Sequence, residues 1–480
     1  MSDTIELVPH VDNPTAWVDG VPLYRPDLTI TQVNKDLTAA IFRKPNKFWF
    51  AGMAIAHICL FIGVYVVWVQ LHVGMGVLGL KRPGMWGTYI VDFVFWVGIA
   101  HAGTLISAIL YLFRQRWRTA INRSAEAMTI FAVMCAGLFP LLHIGRTLIA
   151  YWLIPYPNPR HLWVNFRSPL VWDVFAVSTY TIISILFWYQ GMIPDLATVR
   201  DMHPGKVAQK VYGIFAQKWK GTARDWHHYE SAYGMFAAIA TPLVLSVHSV
   251  VSSDFAVSSI PGWHDTIFPP YFVAGAIFSG FAMVITVLTV VRKAFNLEDY
   301  ITMDHMELMA KIIVATSMIV SYGYIVEVFM AWYGQVPQET HIYIWIRFFG
   351  PYAWAGWTIA FCNCIAPLIF WFRKARRNLF LLFGISIIIN IGMWFERYVI
   401  IITSLAQDFL PTNWRYFAPT WLDMGTFVGS LGLFFINFML FARFVPVISI
   451  AEVKGVLTNQ VGEPHAPRPL PGGENAKVRA

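Results

Sequence analysis

Charge is scarce in this sequence. Only 13% of its 480 residues are Asp, Glu, Lys or Arg, about half the roughly 25% with which a soluble chain covers itself. With 57% hydrophobic residues and a mean hydropathy of +0.54, a water-soluble globular enzyme is excluded. Cysteine is equally sparse. Cys59, Cys135, Cys362 and Cys364 are the whole complement and form neither CxxC nor CxxCH. A disulfide scaffold, covalent haem and an iron-sulfur cluster held by this chain are therefore not expected. No phosphate-binding loop is present, so nothing supports ATP-driven transport. What the chain has in abundance is aromatic: 21 Trp, 37 Phe and 20 Tyr, more than lipid-facing helices require.

Stretches of about 20 apolar residues suffice to span a bilayer. Ten occur, at 49–71, 89–113, 127–154, 171–193, 231–256, 269–291, 308–333, 342–371, 378–403 and 419–442. An even number puts both termini on one side. Of the 35 Lys and Arg, 26 fall in segments on that side and five (Lys81, Arg82, Arg160, Arg167 and Arg415) on the other. The positive-inside rule makes the termini cytoplasmic, and the expected membrane is the inner one of a bacterium. The net charge of +8 thus reports orientation rather than a nucleic-acid partner. The expected organisation is a cytoplasmic segment 1–48 without a cleavable signal, a ten-helix membrane domain 49–444 and a cytoplasmic tail 445–480. The stretch from Asp201 to Glu230 mixes Lys with Val, Phe and Trp and reads as an amphipathic interfacial segment.

The second, sixth and tenth spans begin alike, with VDFVFWVGIAHAGT, YFVAGAIFSGFAM and TWLDMGTFVGSLG, each placing small residues where helices can approach closely. A period of four spans preserves direction. It predicts a parallel repeat of two four-helix bundles, spans 2–5 (about 89–256) and 6–9 (about 269–403), flanked by spans 1 and 10. The fold class is an all-α polytopic membrane protein.

Charged side chains inside a bilayer are costly and face a partner, a bundle interior or an aqueous path. Asp92, His143, Arg146, Asp173, His248, Asp254, Glu327, Arg347, Glu396, Arg397 and Asp423 all fall in the outer halves of their spans. The cytoplasmic halves hold chiefly Lys311 and Glu230, while His57 and His101 lie near mid-depth. The bias points to a polar site near the outer face. His143 and Arg146 share a helix face, Asp173 opens the next span and Asp254 closes the fifth, so these four are expected to converge. An imidazole and carboxylates held together out of bulk water suit a substrate that gives up two protons and two electrons. Structural pairing is the competing account: Arg146 with Asp173, Glu327 with Arg347, Glu396 with Arg397, and helix capping by Asp92 and Asp423. His57, His101 and Glu327 are weaker candidates for a proton path.

The segments HIGRTLIAYW, RSPLVWD, SVHSVVSSDFAVSSIPGWHDTIFPPYFVAGAIFSGFAMV and MWFERYVI resemble the NrfD, or polysulfide-reductase membrane subunit, family. Within it the chain is similar to the larger NrfD-like subunit of bacterial alternative complex III. The resemblance implies a quinol-binding membrane subunit with no haem or iron-sulfur cluster of its own. It implies oxidation of menaquinol or ubiquinol near the periplasmic face and electron delivery to an outer iron-sulfur subunit. Its other implied companions are c-type cytochromes and a second NrfD-like subunit, with coupled proton translocation as a further expectation. Carried over by position, it places the headgroup near His143, Asp173 and Asp254, with Arg146 and Arg397 completing the pocket. The aromatic outer loops, with Tyr156, Trp163, Phe166, Trp263, Phe268, Tyr271, Trp414 and Tyr416, are the expected docking surface. Two other readings stay open: a proton or ion transporter without a redox site, and a haem b anchor with His143 and His248 as the axial pair.

Overall fold

The computed structural model describes residues 17–18, 21–24, 28–80, 84–145, 147–154, 161 and 165–458. Apart from a two-residue antiparallel pair, Trp17–Val18 with Val21–Pro22, the described elements are helices. A short helix α1 (Ile30–Phe42) precedes α2 (Lys47–Val73), α3 (Gly87–Leu112), α4 (Asn122–His143) and α5 (Pro169–Met202). Next come α6 (Lys206–Phe215), α7 (Ala223–Ala256), α8 (Phe268–Ala294), α9 (Met303–Gly334) and α10 (Ala353–Trp371). The chain continues through α11 (Leu379–Ala406), α12 (Trp421–Phe444) and α13 (Ile450–Thr458). Ten of these are long and apolar enough to cross a membrane, the number that the apolar runs predict. Polar side chains fix several starts: Asn46 caps α2, and capping boxes of Thr222 with Asp225 and Thr420 with Asp423 open α7 and α12.

Two expected spans end differently. The third stops at His143, after Pro140 and before Gly145 with φ +76°, and the chain continues as tight turns over Thr147–Leu153. The eighth divides, because Pro351 cannot donate a backbone hydrogen bond and disfavours the helical conformation at Gly350. A π-helical stretch His341–Phe349 therefore stands apart from α10.

Helices α3, α4, α5 and α7 pack in sequence with α7 returning to α3, and α8, α9, α10 and α11 do the same with α11 returning to α8. That pattern is compatible with the two four-helix groups. They meet through α3 and α8, whose apolar stretches are 89% and 72% buried, against 17% for peripheral α2. The small residues at the repeated helix starts explain the contacts: a Cβ on Gly280 of α8 would collide with the Cβ of Ala102 on α3, and one on Gly63 of α2 would lie 2.6 Å from Gly429 of α12. Helix α6 buries none of its residues and exposes Val207, Val211 and Ile214, the amphipathic character read from its composition.

Charge gathers at the end of the molecule that holds the described terminal helices α1 and α13. Arg123 and Glu126 at the start of α4 and Asp195 near the end of α5 are buried there. Arg123 bridges both carboxylates, at 2.8 Å to Glu126 and 3.0 Å to Asp195. Helix α13 folds back to complete the network, its Ala451 N–H donating to Asp195 and its Glu452 pairing with Arg118 at 3.0 Å. Arg123, Glu126 and Asp195 lie just beyond the apolar runs 127–154 and 171–193, and the helices extend past those runs to include them. These charges survive burial because each has a partner.

Candidate functional site

At the opposite end of the first helix group, the structure unites two of the predicted residues. Asp173, in the second turn of α5, and Asp254, two residues before the end of α7, are buried with 6% and 7% exposure. Their carboxyls are near enough to interact directly. Neither oxygen of Asp173, nor Oδ1 of Asp254, has a donor among the described residues. Two carboxyls buried side by side repel each other when both are ionised. His143, the last residue of neighbouring α4, lies at the same end, its ring edge-on to Tyr89 at 6.4 Å and its buried Nδ1 without a partner among the described residues. Tyr89 in turn donates to Gln70, which donates to the Leu142 carbonyl at 2.9 Å, so α2 and α3 together brace the end of α4. Gln70 and Tyr89 lack charge, which is why the search for ionisable groups passes over them. Arg146 lies outside the described residues.

Arg397 sits elsewhere in the same layer. Its guanidinium stacks over Phe272 of α8 at 4.2 Å, and its Nη1 is 2.9 Å from Oε1 of adjacent Glu396 without the alignment of a hydrogen bond. His101 of α3 stacks on Tyr180 at 5.4 Å and meets His248 of α7 edge-on at 4.5 Å. Its Nδ1 bonds the Val97 carbonyl at 2.6 Å, while its Nε2 and both nitrogens of His248 have no partner among the described residues. His57 lies on an exposed face of α2, with Nδ1 bonded to its own helix at Met53.

Capping holds for Asp423 and fails for Asp92. Asp423 accepts from the backbone of Gly79 at 2.9 Å and from Thr420 at 2.7 Å, tying α12 to the segment before α3. Asp92 lies in the second turn of α3, fully buried. Its Oδ1 accepts from Trp394 of α11 at 2.8 Å, and its Oδ2 has no partner among the described residues. Glu327 pairs with Arg347 at 3.3 Å, as expected. Both line a cavity of about 560 Å³ between α9, α10 and α11, together with Glu396.

The expected aromatic docking surface is reduced. Trp263, Phe268 and Tyr271 are buried at 1%, 0% and 2% exposure, because Trp263 plugs the helix ends and donates to the Ile400 carbonyl at 2.7 Å. Phe166 and Tyr416 remain exposed, Trp414 is half-buried against His341, and Tyr156 and Trp163 lie outside the described residues.

Residues 76–408 match the model of the polysulphide reductase NrfD family. The chain belongs to that family. Over 421 residues it is 20% identical to a selenate reductase subunit of Mesobacillus selenatarsenatis, covering 84% of this chain and 95% of that one. Over 423 residues it is 21% identical to the menaquinone reductase integral membrane subunit of Nitratidesulfovibrio vulgaris, covering 82% and 91%. A putative dimethyl sulfoxide reductase membrane subunit of Halobacterium salinarum is 26% identical over 241 residues, half the length of each chain. The NrfD match covers α3 to α11 and therefore both helix groups, whereas α12 and α13 lie beyond it.

Proposed function

We propose that this NrfD-family chain is the quinol-binding membrane subunit of a respiratory oxidoreductase, oxidising menaquinol or ubiquinol in the first helix group (about 89–256) at the periplasmic face of the inner membrane. The carrying observation is the buried Asp173 and Asp254 pair, with oxygens left unsatisfied at adjoining helix ends. Menaquinone in the name of one similar protein supports the quinone class. In this reading the Nδ1 of His143 meets one hydroxyl of the quinol, and the carboxyl pair meets the other. Removal of two electrons releases two protons, one accepted by His143 and one by the ionised member of the pair, and both leave outward. The electrons pass to an iron-sulfur partner held against the exposed loop aromatics Phe166 and Tyr416. Further partners of the kind found in alternative complex III, c-type cytochromes and a second NrfD-like subunit, belong to the same proposal. Arg397, stacked over Phe272, is a further candidate for the pocket, from α11. His101 Nε2, both nitrogens of His248 and Asp92 Oδ2, without partners among the described residues, extend the polar layer and favour coupled proton movement as an accompaniment.

The test is quinol-dependent reduction of the partner by assembled complexes carrying Asp254→Asn or His143→Ala. Turnover should fall at least about 100-fold for loss of a positioned acid or base. Wild-type turnover in either variant removes that residue from the site.

A further inference from the structure

The cavity between α9, α10 and α11 has no part in the site above, yet its polar wall is unusually unsatisfied. Glu327, Arg347, Glu396 and Tyr271 all line it and are at most 6% exposed. Among the described residues, Glu327 Oε1, Arg347 Nε and Nη2, and the Tyr271 hydroxyl have no hydrogen-bond partner, while Glu396 Oε1 has the Arg397 guanidinium 2.9 Å away without the alignment of a hydrogen bond. Each such buried atom costs about 1–3 kcal/mol, so four on residues that line one cavity point to a ligand that supplies what they lack. The remaining atoms hold these groups in place: Arg347 Nη1 is 3.3 Å from Glu327 Oε2, and Glu396 Oε2 accepts from Tyr324, which itself accepts from Asn363 at 2.9 Å. The rest of the lining is apolar, and Ile325, Phe329 and Trp332 in it are 67%, 51% and 54% exposed on the flank of α9, which also carries Glu327. Entry from the acyl-chain layer is the route this geometry allows.

Position strengthens the case. Glu327 lies near the end of α9, Arg347 just before α10, and Glu396 late in α11. A shift of four spans carries these places onto the end of α4, the start of α5 and the end of α7, which hold His143, Asp173 and Asp254. The two helix groups thus build a polar pocket at the same point of the repeat from different residues.

The chemistry selects the occupant. A phosphate headgroup would meet two carboxylates with one guanidinium, and an ammonium would leave the Arg347 and Tyr271 donors unanswered. A neutral ring with two opposed oxygens answers donors and acceptors alike, and about 560 Å³ is within the usual range of roughly 300–1,000 Å³ for small-molecule sites. We propose that the second helix group binds a further quinone-class isoprenoid, its ring oxygens against Arg347, Tyr271 and Glu327 and its tail leaving past Ile325, Phe329 and Trp332. This is a binding site, with no redox step assigned, and it stands whether or not the first group oxidises quinol.

The experiment is photolabelling of the purified, assembled complex with a short-chain azido-quinone, with adducts mapped by peptide mass spectrometry. Labelling of the α9 segment 324–332 or the α10 segment 359–364 is expected in wild type. It should persist in Asp173→Asn and be lost in Ala360→Trp, which fills the cavity. In titrations, Arg347→Gln should weaken binding to this segment about tenfold, the worth of one hydrogen bond to a charged group, and this readout serves also if Ala360→Trp fails to assemble. Absence of adducts on α9 to α11, adducts undiminished by both variants, or their displacement by phospholipid but not by quinone overturns the proposal. Labelling is read without turnover, so its failure and the failure of the quinol-oxidation reading are separate results.

Discussion

In the proposed site Asp173 and Asp254 act as one group, and substitutions should show it. Either Asn variant breaks the pair, so the double variant Asp173→Asn/Asp254→Asn should lose scarcely more turnover than the worse single one. Additive losses on the logarithmic scale would mean two independent carboxylates. Arg123 is the opposite case, because its value is structural. Arg123→Met leaves Glu126 and Asp195 buried without their cation. It should destabilise the detergent-solubilised protein by about 3–5 kcal/mol, read as a fall in thermal-unfolding midpoint or loss of assembled yield, whereas His57→Ala on the exposed face of α2 should leave both unchanged. The difference in legibility follows the same line. Asp173 and Asp254 were readable because each closes or opens a span, and orientation alone assigns both to one end. Asp195 was not, since its partners come from the start of α4 and from Ala451 of α13, 256 residues further along the chain, and no local pattern announces that α13 folds back. Asp92 misled for a related reason: it looked like a cap beside the expected span start, while the helix begins at Gly87 and turns the carboxyl inward to Trp394.

The elements were mostly visible as apolar runs, and their packing was visible only where small residues made it compulsory. Gly280 tests that claim. A side chain there collides with Ala102 across the contact between the two helix groups, while one at Gly137 meets nothing within 4 Å. Gly280→Leu should therefore cost about 1–3 kcal/mol or prevent assembly, and Gly137→Leu should be neutral, with thermal unfolding and size-exclusion profiles as the readout. Equal behaviour of the two would contradict the close α3 to α8 crossing. The π-helical stretches within α3 (Leu105–Ile109) and α11 (Val399–Thr403) had no sequence signal. Both keep an apolar composition through the irregularity, and a widened turn inserts one residue without altering the hydropathy that reveals a span. The cavity between α9, α10 and α11 was hidden for the same reason, because hydropathy reports which residues avoid water and not which of them fail to touch.

At the scale of the whole molecule, one property decides the direction of the proposed chemistry: which membrane face bears the Asp173 and Asp254 end. The helices fix only that this end lies opposite α1 and α13. The face itself rests on charge, 26 basic residues on the side of the termini against five on the other, and the asymmetry resists small errors in span boundaries because adding or losing a span would mix the two totals. Accessibility labelling checks it directly. In a background with Cys59, Cys135, Cys362 and Cys364 replaced, a single cysteine at Gln217, between α6 and α7, should react with a membrane-impermeant maleimide only in inverted vesicles. One at Phe409, between α11 and α12, should react in intact spheroplasts. The reverse pattern would put the carboxyl pair at the cytoplasmic face. Quinol oxidation would then release its protons inward, and an acceptor on the periplasmic side could no longer be the partner.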